Sequence, residues 1–292
     1  MIDRRAPLSV VIPTRERPTW LRRCLDALQP LLQDIDEVVV VDSASPTSAT
    51  ADIARAAGVR LVVADRPGAS LARNLGWQAA SNDLVAFIDD DVTPLEGWPE
   101  AVVAALTRPG TGWTTGWIGV SPDQLHLPEP TPTMLSVEPR VLDRDSPGAV
   151  GASANCGFHR AVLADSGGFS ERFGPGTWVA AAEDQELFDR LVAAGILGYY
   201  EPAARVYHDQ WRTRRQALRL HWNYGKGMGA RLARLWRRDR QVARRVTREA
   251  VVGDALTSMV RALRAGYQTG AVFAALRLLG MAFTFAVRIW RP

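Results

Sequence analysis

The stretch LVAFIDDDVTP, Leu84 to Pro94, runs from apolar and small residues straight into three adjacent aspartates, Asp89, Asp90 and Asp91, and stops at Thr93-Pro94. Such a run predicts a buried strand with an acidic carboxyl end. Mutual repulsion and desolvation both oppose three carboxylates in that position, so the pattern demands a cation beside them.

Working outward, SVVIP (Ser9–Pro13), EVVVVDSAS (Glu37–Ser45, with Asp42 at its end) and VRLVVAD (Val59–Asp65) predict three further buried strands. Between them, apolar residues at helical spacing predict helices over Thr19–Leu31, Thr50–Ala57, closed by Gly58, and Ser70–Ala80. Four alternations of strand and helix with short connections predict a parallel sheet covered on both faces. Ligands of such sheets gather at the carboxyl ends of the strands, where Asp42 and Asp89–Asp91 lie.

Pro109 to Pro147 is rich in Gly, Pro and Thr and reads as loops and edge strands. Regularity resumes at VGASANCGF (Val150–Phe158) and a short helix. A glycine-hinged loop, Gly167–Trp178, then precedes a helix from about Glu183 that stops at Gly195. GYYEPAARVYH predicts a short strand.

The net charge of +4 conceals a division. Residues 1–210 hold 17 Arg and 28 Asp or Glu, a balance of −11; residues 211–292 hold 18 Arg or Lys against Asp239, Glu249 and Asp254, a balance of +15. An acidic body and a basic tail imply two jobs, and an anionic partner for the tail. In the tail, Val242, Val246, Val252, Leu256, Met259, Val260 and Leu263 predict one amphipathic face. The final segment, YQTGAVFAALRLLGMAFTFAVRIW, is long enough to cross a bilayer. Arg277 near its middle would cost about 2.5–3.5 kcal/mol there. Arg277, Thr284 and Arg288 fall on one stripe, which favours a helix lying in the membrane surface; a soluble core helix or a dimer contact are the alternatives. Cys24 and Cys156 suggest neither a metal site nor a disulfide, and no charged-then-apolar leader precedes Pro7. The expected location is cytoplasmic, peripheral on the inner face of the cell membrane.

Adjacent carboxylates at a strand end suit a hard divalent cation, Mg²⁺ or Mn²⁺, which keeps positions open for substrate phosphates. The bland alternative is an acidic turn capping the next helix. Four passages decide between them: VVIPTRERPTWLRRCLDAL, VVVVDSAS, PGASLARNLGWQAASNDLVAFIDDD and GASANCGFHRAVLADSGGFSERFGPGTWVAAAED. In this order and spacing, over roughly residues 8–210, the chain resembles the family 2 glycosyltransferases. The resemblance implies an α/β, GT-A (Rossmann-like) fold over residues 1–210. Its mixed, mainly parallel sheet is flanked by helices, and residues 211–292 form an Arg-rich α-helical C-terminal extension. It also implies metal-dependent, inverting transfer from a nucleoside-diphosphate sugar (UDP, GDP or dTDP) to an acceptor hydroxyl.

By the same resemblance Pro13, Thr14, Arg15 and Arg17 surround the nucleotide, and Asp42 accepts the imino hydrogen of its base. Arg73 reaches the diphosphate, with a pairing to Asp65 as its alternative. Asp89 or Asp90 lies against the ribose, and Asp91, with His208, binds the metal. Asp184 is the general base, with Glu183 beside it, and Glu186 braces their helix. Trp178 covers an acceptor sugar, with Trp113 and Trp117 as alternatives; His126 and His159 have no supporting pattern. Acceptor choice is expected in Pro128–Pro147 and the tail. Two other readings compete. A sugar nucleotidylyltransferase needs a glycine-rich loop after its first strand, and PTRERPT has no glycine. A non-enzymatic membrane- or nucleic-acid-binding adaptor would rest on the tail, although the acidic body disfavours nucleic acid.

Overall fold

The computed structural model describes residues 5–124, 133–146, 151–264 and 266–290. They fall into two compact units. The first holds the described residues of Met1–Ser146, Val150–Ser170 and Leu187–Gln210, and the second those of Glu171–Glu186 and Trp211–Pro292. The basic extension thus clusters with the glycine-hinged loop.

The first unit is built on a nine-stranded sheet. Strands β1 (Leu8–Thr14), β2 (Glu37–Asp42), β3 (Arg60–Val63) and β4 (Leu84–Ile88) pair in parallel in the order β3-β2-β1-β4. Their crossovers are the helices α1 (Pro18–Leu28), α2 (Ala49–Ala56) and α3 (Ala69–Ala79). Val, Ile and Leu fill both faces because each is covered by helices; Val10, Val11, Ile12, Val39, Val40 and Phe87 are fully buried. Gly76 of α3 belongs to this close packing, since a Cβ there would overlap the Val11 side chain.

Beyond β4 the order continues β8-β6-β9-β5, with β7 also on β9. These are β5 (Val92–Pro94), β6 (Thr111–Val120), β7 (Arg140–Leu142), β8 (Asn155–His159) and β9 (Leu197–His208). Helix α4 (Trp98–Leu106) packs beneath them, and α5 (Arg160–Ser166) follows β8. Here the structure corrects the sequence reading. Thr111–Val120 is a buried ten-residue central strand rather than a loop or edge, and the "short" strand at GYYEPAARVYH runs for twelve residues. The glycines that made the segment look irregular are packing devices. A Cβ on Gly116 would lie 2.5 Å from Asn155 Nδ2 and 2.8 Å from Ala204 Cβ, and closer still to the Ala204 carbonyl. Asn155 locks this crossing, accepting from Trp98 Nε1 (2.9 Å) and donating to the carbonyls of Trp117 (3.0 Å) and Ala204 (2.8 Å).

Helix α6 (Glu183–Ala193) belongs to the second unit in its first turn. From Leu187 onward it packs in the first, where Phe188 stacks on Trp113 at 4.8 Å. The second unit is otherwise α7 (Arg214–Arg238), α8 (Arg240–Arg248), a π-helical stretch (Glu249–Leu256), α9 (Thr257–Arg264) and α10 (Gln268–Trp290). A capping box between Thr213 and Gln216 starts α7. Glycines bring α7 and α10 together. A Cβ on Gly225 would meet the Arg277 backbone at 3.0 Å, one on Gly229 the Phe285 nitrogen at 3.0 Å, and one on Gly280 the Trp222 carbonyl at 2.6 Å.

The amphipathic face expected from Val242 to Leu263 is broken. Val242 and Val246 pack with Leu232 and Leu235, whereas Val252 within the π-helical stretch and Val260 and Leu263 beyond it are exposed. The extra residue per turn rotates the apolar stripe off its helical register. The polar stripe of α10 is also inverted from expectation, for Thr284 is fully buried.

Two stability outcomes follow. Gly116→Ala has no room beside the β9 backbone and should cost about 3 kcal/mol in urea unfolding. His221 of α7 lies 4.2 Å from the Phe273 ring of α10, and burial, helped by Arg277, pulls its imidazole down to about 4. A depressed histidine contributes stability that is complete above its unfolded value of about 6.5 and is lost as pH falls towards 4. Calorimetry at pH 7 and pH 5 should show wild type losing about 1 kcal/mol more than His221→Phe, allowing for partial exposure.

Candidate active site

Strands β1, β2 and β4 end together, so the parallel register sets Thr14 beside Asp42 and places the acidic triplet just beyond Ile88. The cations the triplet demands come from the chain itself. Arg17 Nη1 lies 2.7 Å from Asp90 Oδ1 and 3.5 Å from Asp91 Oδ2. Thr14 donates to Asp90 Oδ2 at 2.7 Å. Arg73, buried in α3, binds Asp89 Oδ1 at 2.8 Å, so its partner is Asp89 and not Asp65, which pairs with Arg66. His208 Nε2, at the end of β9, stands 3.2 Å from Asp91 Oδ1.

Burial dominates the electrostatics. It pushes the Asp90 carboxyl up to about 7, with Arg17 pulling against it and Asp91 adding to it. For Arg17, burial acts to lower the guanidinium, but attraction to Asp90 and Asp91 outweighs this and leaves it raised. Burial, then the field of Asp90, lifts the Cys24 thiol well above its usual value, so this cysteine is inert. Asp209 is raised by burial too; its backbone N–H donates to the Asp91 carbonyl at 2.9 Å, and Arg23 pairs with it at 3.4 Å.

Both oxygens of Asp90 are engaged, Oδ2 by Thr14 and Oδ1 by Arg17. Its neighbours Asp89 and Asp91 instead share a cluster with His208, in which one ligand atom from each lies within 4.8 Å of the others. Two carboxylates and an imidazole make a hard-to-borderline donor set that fits Mn²⁺ or Mg²⁺. Asp89, which by resemblance shares with Asp90 the place against the ribose, thereby joins the metal-capable group.

The loops around this cluster are tied to one another. Pro13 and Thr14 are the last residues of β1, Arg15 is exposed, and Glu16 adopts a left-handed conformation (φ 53°) in which its carboxylate accepts from Thr47 N–H and Oγ1. Asp42 is buried, and its Oδ1 accepts from Ser45 N–H at 2.9 Å. Arg15, Arg17, Arg73, Asp42 and the triplet therefore converge on one end of the parallel sheet.

In the second unit the loop before α6 folds over its own acid pair. Gly174 (φ 89°) has no room for a Cβ beside the Glu183 carboxyl, 2.9 Å away, and Glu183 is 7% exposed. Asp184 is half-buried and its Oδ1 accepts from Gln185 N–H at 2.7 Å, which leaves it the more accessible of the two. Ala180 and Ala182 hold positive φ (64° and 66°) immediately upstream. Such conformations cost about 1 kcal/mol each and concentrate at functional sites. Glu186 is buried and ion-paired with Arg234 of α7, a brace for α6. Trp178 is 48% exposed, whereas Trp113 is core, donating Nε1–H to the Ile196 carbonyl. Trp117 packs under Arg205 against Tyr207. His159 bonds the Leu106 carbonyl at 2.9 Å and serves structure. His126 and residues 128–132 and 147 lie outside the described residues. Within 133–146, Met134 bridges Ile118 and Tyr200 donates to the Ser136 carbonyl.

Sequence reasoning missed the Arg23–Asp209 pair under Asp91; HDQ at the end of β9 was its only signal. It also passed over Asn155, which looks like any loop amide until the sheet closes around it.

Residues 9–167 match the sequence model of glycosyl transferase family 2. The pre-mycofactocin glycosyltransferase of Mycobacterium tuberculosis is 32% identical over 238 residues, 77% of this chain and 47% of that protein. The chain thus spans about half the length of the pre-mycofactocin relatives it matches. Among solved structures, a mannosyltransferase from Pyrobaculum calidifontis in complex with GDP-Man and Mn²⁺ superposes with TM-score 0.64 at 17% identity, covering 97% of this chain and 88% of that one. S. aureus TarS 1-349 in complex with UDP gives 0.61 at 14%, covering 97% and 90%. These similarities show the GT-A fold.

If Asp91 and His208 ligate, Asp91→Asn and His208→Ala should each weaken Mn²⁺ binding by at least about tenfold in calorimetric titration. His159→Gln, remote from the cluster, should leave Mn²⁺ affinity unchanged.

Proposed function

We propose that this chain, which belongs to glycosyl transferase family 2, moves a sugar from a nucleoside-diphosphate sugar to an acceptor hydroxyl with inversion at the anomeric carbon. The observation that carries this reading is the cluster of Asp89, Asp91 and His208 at the end of the parallel sheet, with Asp42 and a set of arginines beside it. A divalent ion held by those three residues would supply Lewis-acid stabilisation of the departing diphosphate.

The remaining roles belong to the chain's own groups. Asp42, at the end of β2, accepts the imino N–H that uracil, thymine and guanine all present. Arg15, exposed at the rim, is available to phosphate or ribose, while Arg17 and Arg73 fix the carboxylates that would otherwise repel one another. Thr14 and Arg17 engage both oxygens of Asp90, which leaves Asp89, Asp91 and His208 to hold the ion. Asp184 takes the proton of the acceptor hydroxyl. Its support is its place in the Glu-Asp pair, its greater exposure than Glu183, and the strained alanines before it. The helix start favours the ionised form that a base requires.

A nucleotidylyltransferase would attack at phosphorus and release pyrophosphate. The loop after β1 contains no glycine with which to grip a triphosphate, so release of a nucleoside diphosphate is expected instead.

Calorimetry with UDP, GDP and dTDP, with and without Mn²⁺, should give binding to one or two of the three that weakens when Mn²⁺ is withheld. Asp184→Asn should lower transfer by about 10²–10⁴ with nucleotide affinity kept. Full transfer by this variant, or pyrophosphate as the product, would refute the assignment.

A further inference from the structure

Helix α10 presents an apolar stripe that the described residues of its own unit leave about half exposed. The most apolar 18-residue window within Gln268–Ile289 has a mean hydropathy of 1.8, yet only 28% of that window is buried. The uncovered side is ordered. Val272, Leu279 and Phe283, at positions 0, +7 and +11, lie on one helical stripe and are 47%, 62% and 49% exposed. Arg277 and Thr284 fall on the opposite side, towards α7. That arrangement is the reverse of a soluble helix, which turns its apolar stripe inward.

The stripe ends in an aromatic and cationic border. Phe283 lies 6.3 Å from the Trp178 ring and 6.0 Å from Trp222. Lys226 Nζ stands 4.7 Å from the Trp178 centroid, and the Arg288 guanidinium 5.4 Å. Indole rings with lysine and arginine at the edge of an apolar band are the residue types that sit at the headgroup level of a bilayer. The surrounding segment, 211–292, carries 18 cations against three acids, so the charge complement of this face is an anionic surface.

Helix α7 fixes the orientation. Its 25 residues include eight arginines or lysines, which prevents it from entering hydrocarbon. Gly225, Gly229 and Gly280 seat α10 against α7 backbone to backbone. A helix held to that partner lies in the interface plane.

We propose that the Val272–Leu279–Phe283 stripe, bordered by Trp178, Lys226 and Arg288, docks this protein onto an anionic lipid bilayer, with α10 parallel to the membrane surface.

The test is flotation of the full chain with vesicles of neutral phosphatidylcholine or of phosphatidylcholine with one quarter phosphatidylglycerol, at low and high salt. Wild type should float with the anionic vesicles and be largely released by high salt or by alkaline carbonate. The double variant Leu279→Asp/Phe283→Asp should bind at least about tenfold less. Lys226→Gln and Arg288→Gln should each weaken binding to anionic vesicles by about fivefold. Leu279 and Phe283 are exposed and Lys226 and Arg288 partly so, and an unchanged unfolding temperature confirms that the variants fold. Failure of wild type to float with either vesicle overturns the proposal. So does a dimer in light scattering that the double variant abolishes, since a second copy would then be the occupant. Resistance to carbonate extraction overturns the in-plane placement.

Discussion

Desolvation of the three carboxylates beyond β4 is the constraint around which the first unit is arranged. Two of them, Asp90 and Asp91, are 2% exposed, and an unpaired buried charge costs several kcal/mol. The cost is offset from four directions: Thr14 at the end of β1, Arg17 at the start of α1, Arg73 in α3 and His208 at the end of β9. Each of those elements must arrive at one point for the cluster to be tolerable. The pairing of β1 with both β2 and β4 delivers the first three, and the long β9 delivers the fourth. A carboxylate cluster so surrounded is also preorganised. Its acceptor atoms are aimed before any cation or diphosphate arrives, which is how a protein stabilises charge without reorganising at the moment of reaction.

The parallel half of this arrangement was legible in the sequence because its signals are local. Runs of Val and Ile that end in Asp, alternating with helical spacing, specify β1 to β4 and the side of the sheet on which Asp42 and Asp89–Asp91 fall. The antiparallel half was not. Thr111–Val120 contains three glycines, and glycine in a sequence signals a turn unless a second backbone approaches closely. That second backbone is β9, some 90 residues away. The same limit hid the pairing of Arg73 with Asp89, because local spacing offered Asp65 as an equally good partner. It hid the π-helical turn at Glu249–Leu256 as well, since the hydrophobic pattern alone projects an uninterrupted stripe.

Within the second unit, the loop and the helices obey a different logic from the sheet. Where the first unit buries charge and compensates it, this unit keeps most of its charge on helix surfaces and leaves apolar side chains uncovered. Glu183, Glu186 and Arg231 are the buried exceptions, and the Glu186 pair with Arg234 fixes the start of α6. That fixation matters because Ala180 and Ala182 hold left-handed backbone directly upstream, and a strained loop persists only when its surroundings over-determine it. Gly174 closing over Glu183 and Thr177 accepting from the Ala180 N–H supply the rest.

The inversion of α10 joins these observations to its sequence. An isolated reading of Arg277, Thr284 and Arg288 places the polar stripe on the outside, because polar groups of a solitary helix seek water or headgroups. The glycines of α7 change the outcome. They let a charged helix approach so closely that Thr284 becomes fully buried, while Arg288 at the end of the stripe reaches the Trp178 ring instead. Only the apolar side is then left to face outward. Small residues at a helix crossing thus determine the character of a surface they do not themselves form. Replacing Gly225 or Gly229 by a larger residue would separate the helices and return α10 to the orientation that its sequence alone suggests.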